Sequence, residues 1–172
     1  MRNWRKGLLI AVVLWLGMPG IPRAEAKAAR YWPVITQGDR DDKYSGEVRA
    51  TQYLLRARGY KITVDGIYGK QTTRMVRAFQ KKRGLVQNGN MSQPTWEALV
   101  IKAKKGSKGD ATRAIQTLLR LDGYDVKVDG VFGKQTDGAV RKYQDQQGIG
   151  VDGVVGAVTW NRLVGGGDGG QH

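Results

Sequence analysis

Residues 48–100 lie over residues 112–164 at a constant shift of 64 with no gap, and 24 of the 53 paired positions are identical. Self-similarity at a fixed period confines the chain to copies of one small unit. "EVRATQYLLRARGY" pairs with "ATRAIQTLLRLDGY", "VDGIYGKQT" with "VDGVFGKQT", "RMVRAFQKKRGL" with "GAVRKYQDQQGI", and "QNGNMSQPTWEALV" with "VDGVVGAVTWNRLV". With no cysteine in the 172 residues, each copy rests on core packing alone, which is marginal near ~60 residues.

Each copy predicts three short helices. In the second, Ala111, Ile115, Leu118 and Leu119 fall on one helical face. Gly59 and Gly123 suit left-handed ends to the first helices. The second helices carry Met75, Val76 and Phe79, or Ala139, Val140 and Tyr143, and stop at Gly84 and Gly148. The third start near Thr95 and Thr159 and carry Trp96, Leu99 and Val100, or Trp160, Leu163 and Val164. Three such stripes can bury one another around a single core. The expected fold is all-α: two tandem small three-helix bundles joined by a short basic linker, with Trp96 and Trp160 read first as core anchors and, as the alternative, as sugar-stacking platforms.

The first segment is laid out for export. Arg2, Arg5 and Lys6 precede an apolar run from Leu8 to Met18, then Pro19 and Pro22, then Ala24-Glu25-Ala26 as a cleavage site. The run is shorter than the ~20 residues a membrane span needs. This predicts a signal peptide over 1–26, an extension over 27–43 that packs Tyr31, Trp32 and Val34 onto the first module, module one over 44–101, and a basic linker over 102–109. Module two follows over 110–164, and a disordered glycine tail over 165–172. The linker, "IKAKKGSKGD" in its wider form, is expected to leave the modules semi-independent. The mature protein is expected to be soluble and secreted, without a membrane span.

In "VDGIYGKQT" the Asp-Gly pair favours a tight turn, because Asp bonds its own backbone and Gly accepts positive φ. Gly69 or Gly133 then opens the second helix, with Thr72 or Thr136 in its first turn. Such a turn also leaves backbone N–H groups that suit the carboxylates and amide carbonyls of a peptide. The loop recurs as "VDGVVGAVTW" at 151–160, whereas module one reads "QNGNMSQPTW", with Asn88 for aspartate and Ser92 for the second glycine.

Catalysis finds little to work with. The one histidine is His172 and there is no cysteine, which removes nucleophile–histidine pairs and histidine metal sites. Glycan cleavage would need two facing carboxylates; Asp65, Glu47 and Glu97, or Asp129 and Asp152, are the candidates, and turn chemistry already accounts for the loop aspartates. No enzyme, cofactor or metal is expected.

Taken together, "GY", "VDGxFGxxT", "AVRxxQ" and "GIxVDGxVGxxTWxxL" are similar to the peptidoglycan-binding domain of type 1, the three-helix module appended to many bacterial cell-wall hydrolases. The resemblance covers roughly 46–100 and 110–164. It implies a noncatalytic module that holds a protein on peptidoglycan through loops and helix ends near the DG turns. By position it points to Asp65, Gly66, Tyr68, Gly69 and Thr72, to Asp129, Gly130, Phe132, Gly133 and Thr136, and to Asp152 and Gly153.

Of the net charge of +14, +10 lies between residues 44 and 105 and +1 between 106 and 164. The basicity thus belongs to module one and the linker. A division of labour is expected, with module two, whose DG loops are both intact, making the specific contact and module one adding attraction to the anionic wall. Expected partners are peptidoglycan, anionic wall polymers and a separate wall hydrolase that the chain would target or activate. Nucleic-acid binding is the rival reading of a basic chain with interleaved aromatics, and export argues against it.

Overall fold

The computed structural model describes residues 32–42 and 45–165. The expected signal peptide, Tyr31 and the tail from residue 166 lie outside them. Six helices follow in order: α1 (Glu47–Ala57), α2 (Lys70–Arg83), α3 (Gln93–Leu99), α4 (Asp110–Leu121), α5 (Lys134–Gln146) and α6 (Ala157–Val164). The described residues hold no strand, only four isolated antiparallel bridges.

The helices end where backbone chemistry ends them. At the close of α1, Gly59 takes φ 88°, its N–H reaches the Arg56 carbonyl, and Tyr60 N–H reaches Leu55. That pair of bonds satisfies carbonyls the helix leaves open; Gly123 repeats it for α4 with bonds to Arg120 and Leu119. The third helices begin two residues before Thr95 and Thr159, at Gln93 and Ala157 after the N-caps Ser92 and Gly156.

Trp96 and Trp160 are fully buried, so they are core anchors. Trp96 Nε1 donates to the Pro33 carbonyl and Trp160 Nε1 to that of Ile101, each at 2.9 Å. In the N-terminal extension Trp32 stacks on Trp96 at 5.9 Å, as expected, but Val34 points outward at 69% exposure. Val34 follows Pro33 and precedes the bridge of Ile35 to Met91; backbone pairing at Ile35 turns that side chain inward and its neighbour out.

The linker reading changes in the same way. Ala103 pairs with Val155 and Lys108 with Val131, as Ile35 pairs with Met91 and Arg40 with Ile67. Residues 103–109 are thus a strap laid across both loops of module two, the counterpart of residues 35–41 in module one. The straps correspond at a spacing of 68 rather than 64, because residues 42–45 are extra in module one. The lysines of the second strap are exposed, while the backbone of both straps is held by the loops.

The modules are also not semi-independent. Helix α1 packs along α4, and the buried apolar residues of both modules form one connected core. The two helices run antiparallel. At one end Arg56, in the last turn of α1, grips Asp110 at the start of α4 with two bonds of 2.6 and 2.8 Å. At the other, Gly46 lies so close to Leu118 and Leu121 that a Cβ there would meet Leu121 at 2.5 Å.

That second end brings carboxylates together. Burial, and then the nearby Glu47 carboxylate, push Asp122 at the end of α4 up to about 6, although part of its side chain reaches solvent. Burial raises Glu47 as well, reinforced by Asp41 and Asp42. A carboxyl whose folded pKa exceeds its unfolded value binds its proton more tightly when folded, so stability falls as pH rises from about 4 to about 6. Asp122→Asn is therefore expected to raise the thermal midpoint at pH 7 and leave it unchanged at pH 4. Equal gains at both pH values in a thermal melt series would refute this origin.

Candidate functional site

Each of the four loops between helices of one module is closed by a buried glutamine. Gln116 on α4 accepts the Gly130 N–H at 2.8 Å through Oε1. Its Nε2 donates to Asp129 Oδ1, the Val131 carbonyl and Thr136 Oγ1 at 2.9, 3.1 and 3.2 Å. Gln144 on α5 does the same for Gly153, Asp152, Val154 and Thr159. Gln52 on α1 holds Gly66, Asp65, Ile67 and Thr72, and Gln80 on α2 holds Gly89, Asn88, Asn90 and Thr95. A buried amide bonded through both its oxygen and its nitrogen is a strong local specifier, since an unmet partner costs its full desolvation.

An arginine one turn before each glutamine covers the glycine. A Cβ on Gly130 would sit 2.8 Å from the Arg113 guanidinium carbon, and one on Gly66 2.9 Å from that of Arg49. These glycines also take φ of 75–80°. The positive φ disfavours a side chain there, and the arginine over the glycine would also have to move aside.

The loop carboxylates are held ionised. Asp129 lies below the usual range because the Val131 N–H and then Gln116 bond its carboxylate; Asp152 is lowered by Val154 N–H and Gln144. For Asp65 burial is the largest single effect and opposes ionisation, yet the bonds from Ile67 N–H and Gln52 prevail. In all three only Oδ1 is used within the clasp. The second oxygen takes no part in the clasp, and all three aspartates are exposed.

The twelve residues picked from the sequence divide accordingly. Tyr68, Thr72, Phe132 and Thr136 are buried in the clasps, and Gly66, Gly130 and Gly153 are buried too. Asp65, Asp129 and Asp152 are exposed, and Gly69 and Gly133 half-buried at the N-caps of α2 and α5. The N–H groups of the turns are directed inward, to the glutamine, the aspartate and the strap. Those left open belong to the first turns of α2, α3, α5 and α6, where no side chain caps the helix.

The second loop of module one is not lost. Asn88 Oδ1 accepts from Gln80 and from Asn90 N–H at 2.9 Å, and Gly89 takes φ 78°. The clasp needs one side-chain oxygen, which an amide supplies. What changes is the outward atom: Asn88 presents an amide NH2 where the other loops present oxygen.

The glutamines were missed by sequence reasoning, although a signal exists. R-x-x-Q occurs at 49–52, 77–80, 113–116 and 141–144, once before every loop. Beside Asp152, a cavity of about 350 Å3 opens between Lys102, just ahead of the strap, and the start of α6, lined by Lys102, Ile149, Asp152, Val158 and Thr159. Among the described residues no group of His, Cys, Asp and Glu could hold a metal ion.

The family described as "Putative peptidoglycan binding domain" matches residues 44–99 and 108–163. The chain is 31% identical over 152 residues to N-acetylmuramoyl-L-alanine amidase CwlL of Bacillus licheniformis, covering 68% of this chain and 42% of that protein. It is 44% identical over 63 residues to the spore cortex-lytic enzyme of Bacillus subtilis, covering 36% and 21%. The chain thus spans less than half the length of these curated relatives. A solved peptidoglycan-binding protein from Clostridioides difficile, in complex with glutamine hydroxamate, is 34% identical, with 43% of each chain covered and a TM-score of 0.37.

Proposed function

The chain belongs to the peptidoglycan-binding domain family, and from that premise we propose that it is an exported, noncatalytic protein that holds to cell-wall peptidoglycan through its glycine loops. The observation that carries the proposal is the fourfold clasp. Each clasp sets an outward polar atom, oxygen in three cases and amide in the fourth, next to an uncapped helix start. Acceptors and donors side by side suit the amides, carboxylates and hydroxyls of a peptide-bearing glycan.

Within this reading module two makes the stereospecific contact. The support is the cavity beside Asp152, together with the near-neutral surface of that module. Module one contributes attraction to anionic polymers or to the wall's own carboxylates, which raises retention through a second, weak contact. In this reading the catalytic part of wall remodelling belongs to a separate hydrolase, since the described residues hold no cysteine or histidine and their loop aspartates are engaged by the glutamine clasps.

Sedimentation of the full chain with purified peptidoglycan tests the proposal. Binding is expected to persist in part at high salt and after removal of anionic polymers. Asp129→Ala and Asp152→Ala are each expected to lower the salt-resistant fraction severalfold while keeping the helical spectrum. A folded double variant with unchanged retention would remove these carboxylates from the contact, and hydrolysis of the peptidoglycan would remove the noncatalytic reading.

A further inference from the structure

A second polar cavity, of about 220 Å3, lies on module one where the end of α1 meets the last turn of α2. Arg58, Tyr60, Phe79, Lys82, Arg83 and Ile101 line it. Its floor is aromatic and aliphatic and its rim is cationic. The Arg58 and Arg83 guanidinium carbons both stand over the Phe79 ring, at 5.8 and 5.6 Å.

Part of this has a structural cause. Arg58 donates to the carbonyls of Ala98, Leu99 and Val100 at the end of α3, and Lys82 and Arg83 suit the negative end of α2. Those bonds use Nε and Nη2 of Arg58 and leave Nη1 without a bond among the described residues. Nor does any carboxylate of the described residues pair with Lys82 or Arg83. Burial, and then the like charge of Arg83, disfavour the charged form of Arg58, a conflict that an anion between the two would relieve.

Module two shows what the same scaffold does without this demand. Its matching positions are Asp122, Tyr124, Tyr143, Gln146 and Gln147. There the Tyr124 hydroxyl donates to Gln146 Oε1 and links the two elements directly. Three cations in one copy thus stand where the other has one acid and two amides, on the same backbone.

We propose that Arg58, Lys82 and Arg83 form an oxyanion-binding site of module one that takes a carboxylate or phosphate group. The aromatic floor gives it a dry side, where a charge-assisted hydrogen bond is stronger than on an open lysine face. Its assignment to wall carboxylates or wall phosphates rests on the wall-binding reading; the binding of the anion does not.

The test uses the full chain and inorganic phosphate as probe, followed by NMR of the arginine Nε–H groups, with acetate in a parallel titration. Lys82→Gln/Arg83→Gln copies the residues of module two onto an exposed surface. Arg74→Gln/Lys127→Gln removes the same charge away from the cavity. The first is expected to weaken phosphate binding about tenfold, the loss of roughly one charge-assisted bond, and the second to leave it close to wild type. Equal losses in the two variants, or no response of Arg58 and Arg83 to either anion, would overturn the site. Sedimentation then names the source: a defect of the first variant that vanishes once phosphate polymers are stripped identifies phosphate, and one that survives identifies peptidoglycan carboxylates. If the wild type sediments with neither material, the wall reading falls, while the titration still judges the site.

Discussion

Gln116→Ala is expected to lower the unfolding free energy by about 3–4 kcal/mol in urea denaturation. The alanine strands the buried Gly130 N–H at a cost of about 1–3 kcal/mol, removes the donor to Asp129, Val131 and Thr136, and leaves a void beside them. Because α1 packs on α4 and the cores are connected, one shifted transition should report from both modules. Two separated transitions would show that the core is not shared. Gln116→Glu sharpens the result: it has the same shape but places a carboxylate against Asp129 and cannot donate. Its loss should exceed that of alanine at pH 7 and shrink as the pair protonates in acid.

Trp160→Ala is expected to cost about 4 kcal/mol, within the usual range for deleting a buried tryptophan. The side chain fills the core of module two and its Nε1 ties down Ile101, two residues before the strap. Hydrogen exchange at Ala103 and Val155, which bond each other's carbonyls, should therefore accelerate well before global unfolding. Trp160→Phe separates the two roles: it keeps most of the packing and gives up the one bond, about 1 kcal/mol. A strap equally protected in both variants would show that the tryptophan is only a space-filler.

Helix positions, glycine stops and core tryptophans were legible in the sequence because apolar periodicity and glycine placement are local signals. The glutamines were not, since a polar residue on an amphipathic helix reads as part of the solvent face until the loop that covers it is seen. Asn88 misled for a related reason: the letter changed, but the clasp uses only one oxygen. The strap looked like a linker because its lysines are exposed and its order comes from backbone pairing, which side-chain composition does not encode. In the candidate site, the exposed aspartates were found along with buried partners such as Tyr68 and Phe132, since position in a motif does not distinguish inward from outward.

The strap also decides where the inherited unit begins. A fragment starting at Asp110 would contain every helix of module two yet lack the backbone partners of Val131, Phe132 and Val155. A half that keeps its loop partners must start before Ile101, immediately after the last turn of α3. What was copied during duplication is accordingly a leading ribbon with three helices behind it, and dissection of the protein into halves should follow that seam.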